Sequence, residues 1–223
     1  MFCIRIGFTD HGNSTVLTIK QSMTEKDVKI NHKTLAHDGF CHIEHYEMQH
    51  RFFNGEWAPT YTRELMIKPS VAAALPYDPR CDKVVLIEQF RVGALGKNPT
   101  PWLIEIVAGI MDKAHTESYE ELIRREMLEE ACLDIEALLL IYDYLVTPGC
   151  STEKVKLFCA KVDSTKAPEF CGLASEHEDI KIHIVTTQEA FAAVRSGQIN
   201  NALAIIALQW LELNLKNVNQ KWQ

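Results

Sequence analysis

Two glutamates stand where the helical pattern between Ser118 and Ala131 calls for apolar residues. Tyr119, Leu122, Ile123 and Met127 recur at i, i+3, i+4 and i+8, the spacing of an amphipathic helix with one face toward the interior. Turning each residue by about 100° puts Glu126 and Glu130 inside that stripe and sends Glu120, Glu121 and Arg124 to the watery side. An unpaired carboxylate in a low-dielectric setting is costly unless cations, hydrogen bonds or water compensate it. A divalent metal would meet that need. So would Arg125 with nearby lysines, or a helix edge wetter than the wheel implies.

The elements that must position this helix are legible on both sides. After Pro69, SVAAALPYD and KVVLIEQFRV predict buried strands separated by a Pro-Tyr-Asp-Pro turn, and they mark the start of the main domain, 69–223. Arg91 closes the second run and could project toward a pocket or lie on the surface. WLIEIVAGI then leads into Gly109 and the helix, giving strand, glycine loop, helix. Beyond it, ALLLIYDYLVT predicts a strand, PGCSTEK a tight polar turn, and VKLFCAKV the antiparallel partner. CGLASEHEDI is unusually acidic for a connection, and taken locally it reads as a solvated loop. IKIHIV is the next strand. Thr186 and Glu189 fit a capping box that opens a helix ending near Gly197. The last helix, NNALAIIALQWLELNLK, is apolar enough to lie across a sheet or at a subunit interface.

Toward the N-terminus, residues 28–65 are strand-like and polar, with an Asn54-Gly55 turn, and they predict a small antiparallel sheet in a domain over 23–68. Five of the nine histidines fall here, at 32, 37, 42, 45 and 50. Their spacings repeat no metal-ligand pattern, and strand alternation would split them between two faces, so they read as ordinary strand and surface residues. Residues 1–22 have three readings: a strand around 16–19, a short arm, or an upstream extension, the true start being Met23.

Composition limits the alternatives. The 223 residues, 47% of them hydrophobic, suit one medium domain with an appendage, and the net charge of −7 disfavours nucleic acid or an anionic membrane as partner. The seven cysteines are scattered without a C-x-x-C pair, which argues against a zinc ribbon or a disulfide framework and fits a reducing cytoplasm. No segment offers 18 uncharged apolar residues for a membrane span, and the first twenty carry no sustained apolar core of an export signal.

The order glycine, acidic residue, Arg125-Glu126-Met127-Leu128-Glu129-Glu130 resembles the Nudix box, G-x5-E-x7-R-E-U-x-E-E-x-G-U with U aliphatic. RFFNG, VVLIEQ, TPW, VAG, PG followed by TEK, GLASEHEDI and ALAIIALQWL extend the likeness over residues 23–222, toward the bacterial ADP-ribose pyrophosphatases of that superfamily. The resemblance implies an α+β fold, an α/β/α sandwich around a mixed sheet with a small N-terminal antiparallel sheet. It implies hydrolysis of ADP-ribose to AMP and ribose 5-phosphate with Mg²⁺, for which Mn²⁺ is a possible substitute, and water attack at the adenosyl phosphorus. Such metal ions would let an acidic protein bind an acidic diphosphate.

Carried over residue by residue, the resemblance makes Glu126, Glu130, Glu178 and the carbonyl of Ala108 metal ligands, with Glu129 supporting them and Glu176 as general base. Gly109, Glu117 and Arg125 would be structural. Phe40, Arg63, Glu64, Arg91 and Glu153 would contact ADP-ribose or a related nucleoside diphosphate sugar. A homodimer exchanging residues 23–68 is likewise implied. The box departs from its pattern in two places. Counting back from Arg125 puts the glycine at Met111, so the loop after Gly109 carries two extra residues and Glu117 takes the acidic position; Cys132 replaces the closing glycine. Two other readings compete: a related enzyme for another sugar nucleotide such as GDP-mannose, and a ligand-sensing module without catalysis, which would lack metal ligands and carry a DNA-binding domain.

Overall fold

The computed structural model describes residues 20–112 and 116–222. The strand reading around 16–19 therefore lies outside the described residues. The chain divides into two compact units, one running to Lys68 and including Thr147–Thr152, the other formed by the remainder from Pro69 onward.

The first unit is a three-stranded antiparallel sheet of β1 (Val28–Asp38), β2 (His42–His50) and β3 (Tyr61–Ile67), in that order. The Asn54-Gly55 turn lies between β2 and β3. Its geometry explains the glycine: Gly55 adopts φ +93°, its N–H donates to the Phe52 carbonyl at 2.9 Å, and the Phe52 N–H donates to Glu56 at 2.7 Å. The Pro-Gly turn segment belongs to this unit because it pairs with the end of β3. Met66 N–H donates to Cys150 at 2.8 Å, and Thr152 N–H to Met66 at 3.0 Å.

The second unit is built on β4 (Val71–Asp78), β5 (Lys83–Phe90), β6 (Trp102–Glu105), β7 (Val107–Ile110), β8 (Ala137–Leu145), β9 (Lys154–Lys161), β10 (Phe170–Cys171) and β11 (Ile180–Thr186). They form one sheet in the order β10-β11-β5-β4-β9-β8, with β6 on β5 and β7 on β4. The β4–β9 pair is parallel and β8–β9 is antiparallel, so the sheet is mixed. Its helices are α1 (Tyr119–Ala131), α2 (Thr187–Ser196) and α3 (Ala202–Trp222).

Strand alternation decides the layers. Ala72, Ala74, Val85 and Ile87 share a core with Leu122, Ile123 and Met127 of α1, while Ala73, Leu75, Tyr77, Val84 and Leu86 pack with Phe191 of α2 and Leu208 and Leu211 of α3. The outcome is the α/β/α sandwich, with α3 lying across the sheet. Among the described residues no helix is long and apolar enough to cross a membrane.

Two expectations need correction. The Pro-Tyr-Asp-Pro segment is not a turn, because β4 runs through Pro76 to Asp78 and the chain reverses only over residues 79–82. Pro76 is tolerated because on one side β4 pairs with β7 over residues 71–74 and with β5 only at Tyr77 and Asp78. The missing N–H thus falls in a gap in the ladder. The second correction concerns the cysteines: Cys132 and Cys171, with Cα atoms 6.3 Å apart, form a disulfide. Thirty-nine residues separate them, so no local spacing announces the pair.

Candidate active site

Helix α1 starts where the local chemistry tells it to. Ser118 caps it, accepting from Glu121 N–H at 3.2 Å while its own N–H donates to the Glu121 carboxylate at 2.8 Å, and the acidic first turn suits the positive end of the helix. Leu122, Ile123, Met127 and Ala131 are fully buried and fix its rotation. With that rotation set, Glu130 is buried at 3% exposure.

Glu130 meets β7. The Ala108 N–H donates to its carboxylate at 2.9 Å. One residue on, Gly109 lies so close beneath the Glu126 carboxyl group that a β-carbon there would collide with it. Here glycine serves close approach rather than an unusual φ. The Ala108-Gly109 backbone and two carboxyl groups therefore form a cradle that any larger residue at 109 would fill.

The cradle is electrostatically strained. Burial pushes the Glu130 carboxyl up to about 8; the Ala108 N–H opposes the shift, and the charges of Glu126 and Glu178 reinforce it. Burial likewise pushes Glu126 up to about 7, with Arg125 opposing and Glu129 and Glu178 reinforcing. A cation among these carboxyls would favour their ionised forms.

Arg125 supplies part of that charge at the rim. Its Nε and Nη2 fork onto Glu117 at 3.1 and 3.2 Å, and its Nη1 donates to Glu126 at 2.8 Å and Glu129 at 2.9 Å. The Glu117 hydrogen bond is the main reason its guanidinium holds its proton more tightly than usual. Glu117 is thereby anchored just before α1, and Asp112 Oδ1 lies 3.7 Å from Arg125 Nη2.

The acidic loop supplies Glu178, whose charge raises both cradle carboxyls. Its carboxylate accepts from Leu173 N–H at 3.3 Å, and its own N–H donates to the Leu173 carbonyl at 3.2 Å. Glu176, at the end of a single 3₁₀ turn, is exposed.

Of the other expected residues, Arg91 pairs with Glu105, its Nε donating at 2.9 Å, and its charge favours the ionised form of Glu130. Glu153 is half-buried just before β9, and its charge adds to the burial that raises Tyr144. In the first unit, Arg63 lies 4.5 Å from the Tyr61 ring, Glu64 is 3.2 Å from His45 Nε2, and the Phe40 ring is exposed with Lys68 Nζ 4.6 Å away.

Sequence reading missed Asp112 and Lys156. Lys156 lines a cleft with Met111, Glu117, Ser118, Tyr119 and Glu120, its Nζ 5.0 Å from the Tyr119 ring. Alternation in VKLFCAKV was the available signal, since it puts this lysine on the same side of β9 as Phe158 and Ala160, which pack toward α1.

Among the described residues no three His, Cys, Asp or Glu side chains are close enough to cage an ion by themselves. Mg²⁺ does not require that. It takes one or two protein carboxylates and completes its shell with water and phosphate oxygens, so the oxygen donors of Glu126 and Glu130 beside the Ala108 backbone fit it, and Glu178 is near enough for its charge to act on both.

No family model matches the chain. It is 38% identical over 198 residues to an ADP-ribose pyrophosphatase of Escherichia coli strain K12, covering 89% of this chain and 94% of that protein. It is 36% identical over 206 residues to the ADP-ribose pyrophosphatase of Haemophilus influenzae, covering 91% and 94%. A GDP-mannose pyrophosphatase of Cronobacter sakazakii is 35% identical over 155 residues, covering 69% of this chain and 78% of that protein. In fold the chain is similar to a solved ADP compounds hydrolase, with TM-score 0.68 at 19% identity, covering 89% of this chain and 98% of that one.

Proposed function

This chain belongs to the ADP-ribose pyrophosphatase family of Nudix hydrolases, and on that premise we propose that the cradle on α1 and β7 binds Mg²⁺ and serves hydrolysis of ADP-ribose to AMP and ribose 5-phosphate. The observation that carries this reading is the meeting of Glu126 and Glu130 with the Ala108-Gly109 backbone, at the positions the family's box reserves for metal ligands.

In the proposed site Glu126, Glu130, Glu178 and the Ala108 carbonyl hold the metal. When bound, Mg²⁺ neutralises the diphosphate and makes its phosphorus more open to attack. Glu176 takes the proton from the attacking water, and its exposed, loop-borne position suits a base that completes the site after substrate enters. Arg125 orients Glu126 and Glu129 through its Nη1, and Glu129 adds negative charge beside the ligands. Arg91 and Glu153 are proposed substrate contacts; Phe40, Arg63 and Glu64 are proposed, by the resemblance, to serve the partner's site through the exchanged segment 23–68. Arginine suits that role through forked contacts with phosphate or stacking on adenine.

We also propose a homodimer, which the resemblance implies, acting in the cytoplasm. In favour of a partner, every residue of β1 is exposed, Ile30 and Leu35 among them.

The decisive experiment is a panel of nucleoside diphosphate sugars, each with and without Mg²⁺. ADP-ribose should turn over fastest, and only with metal. Faster turnover of GDP-mannose would overturn the substrate assignment in favour of the activity named for the Cronobacter sakazakii relative, and full rates in chelator would overturn the metal.

A further inference from the structure

We propose that Cys132 and Cys171 are a redox-operated clamp that sets how firmly the acidic loop 172–179 is held against the end of α1. Cys132 is the residue that ends α1, in the left-handed conformation at φ +53°, where a β-carbon is disfavoured and the family's box has glycine. Cys171 is the last residue of β10, a strand of only two residues that pairs with β11 through Phe170 and Cys171 alone. Few ladder bonds therefore tie this end of the loop to the sheet.

The other ties start next to the clamp. Gly172, next to Cys171, donates its N–H to the Glu129 carbonyl at 3.1 Å. Leu173 then fixes Glu178 through the two hydrogen bonds already described, and its carbonyl also accepts the Glu176 N–H at 2.9 Å. Both loop glutamates are thus placed from a point two residues beyond Cys171. Gly172 itself, at φ +107°, lies 3.0 Å from the Glu178 carbonyl oxygen at the site of a β-carbon, so the turn is tight. Opening the link leaves this end of the loop to the two-residue β10–β11 pairing, the Ile182 N–H bond to the Glu169 carbonyl at 2.9 Å and the Gly172–Glu129 contact.

The chemistry is thiol–disulfide exchange with a low-molecular-weight disulfide. The exposed Cys132 thiolate attacks one sulfur of the small disulfide, breaking its S–S bond and releasing one small thiolate. The Cys171 thiolate then attacks the Cys132 sulfur of the mixed disulfide and releases the second. Two protein thiols are oxidised, one small disulfide is reduced to two thiols, and the two protons leave with them. Excess small thiol reverses both steps, so in a reducing cytoplasm the clamp stands open until the thiol pool is oxidised.

The effect on turnover rests on the roles proposed for Glu176 and Glu178; the clamp itself does not. The full chain is equilibrated in oxidised or reduced glutathione and followed by peptide mapping, by hydrogen exchange of residues 172–179 and by Mg²⁺-dependent ADP-ribose hydrolysis. In the oxidised state the map should show a Cys132–Cys171 link and the loop should exchange slowly. Reduction should speed exchange and lower kcat by roughly tenfold, the scale expected when reacting groups are displaced by a fraction of an ångström to an ångström. Cys171→Ser should behave as the reduced protein in both buffers. The clamp is overturned if no such link forms, if loop exchange is the same in both states, or if Cys171→Ser still responds. Link and exchange changes in a protein that turns over no ADP-ribose in either state would support the clamp and reject the substrate reading.

Discussion

The carboxyl group of Glu126 occupies the space that a β-carbon at position 109 would need, so the glycine of β7 and the glutamate of α1 are fitted to each other. Gly109 lies in a regular strand with no unusual φ, and its backbone would accept alanine without strain. Gly109→Ala should therefore act through Glu126 alone, moving its carboxylate out of the cradle while β7 stays paired with β4. We expect kcat/KM for ADP-ribose to fall by about a hundredfold, as for other misplacements of reacting groups by about 1 Å, with an unchanged circular dichroism spectrum. Kinetics within a fewfold of wild type would show that the close approach is packing alone.

Glu130→Gln separates charge from shape. Glutamine has the same size and can still accept from Ala108 N–H, so the buried hydrogen bond survives. What disappears is the negative charge. If that charge helps hold a metal worth several kcal/mol to the reaction, hydrolysis should drop on the order of a thousandfold. Thermal unfolding should stay within a few degrees of the wild-type midpoint, since the buried Ala108 N–H keeps its acceptor. Near wild-type rates in this variant would exclude Glu130 as a ligand.

Arg125→Lys tests the fork. Lysine keeps the charge but cannot reach Glu117 with two parallel donors while also serving Glu126 and Glu129. The variant should lose about 1–2 kcal/mol of stability in denaturant unfolding. Its kcat should fall more than its KM for ADP-ribose rises, because the lost contacts orient carboxylates rather than bind substrate. An unchanged kcat would confine Arg125 to fixing the loop.

Much of this was written locally in the chain. The SVAAAL and KVVLIEQ runs show buried strands because both faces of the sheet are covered, and the apolar stripe of α1 is regular enough that Glu126 and Glu130 stand out as intruders. The Asn54-Gly55 turn announced itself through the one residue that accepts its φ. Other features depend on where distant segments meet. Cys132 and Cys171 are brought together only after β10 docks beside the end of α1, and nothing near either one signals the other. Thr147–Thr152 belong with β3 because of backbone hydrogen bonds, which side-chain patterns do not encode. Pro76 misled because proline punctuates most sequences, whereas here a gap in the ladder between β7 and β5 receives it. Lys156 was visible in the alternation of β9, yet a single lysine in a strand usually marks only a solvated edge.

The pH dependence of stability should centre on Asp78. It is 1% exposed at the end of β4, where its carboxylate accepts from Arg80 Nε at 2.9 Å, from Ser164 N–H at 2.8 Å and from Ser164 Oγ–H at 2.9 Å. Burial alone would raise its pKa, but the Arg80 guanidinium and the Ser164 donors outweigh burial and hold the carboxyl down at about 2. A folded-state value below the unfolded one means the native state favours the ionised form. The stabilisation is therefore complete above the unfolded pKa of about 4 and is lost as pH falls toward 2; its size is on the order of 2 kcal/mol. Urea unfolding of the wild type and of Asp78→Asn should show a gap that is constant from about pH 7 down to about pH 5 and narrows steadily below about pH 4. Asparagine keeps an acceptor for Ser164 but carries no charge for Arg80, so the variant should be the less stable at neutral pH and the less sensitive to acid. Parallel pH profiles for the two proteins would mean that acid unfolds the chain through other carboxylates and that the Asp78 cluster contributes only shape.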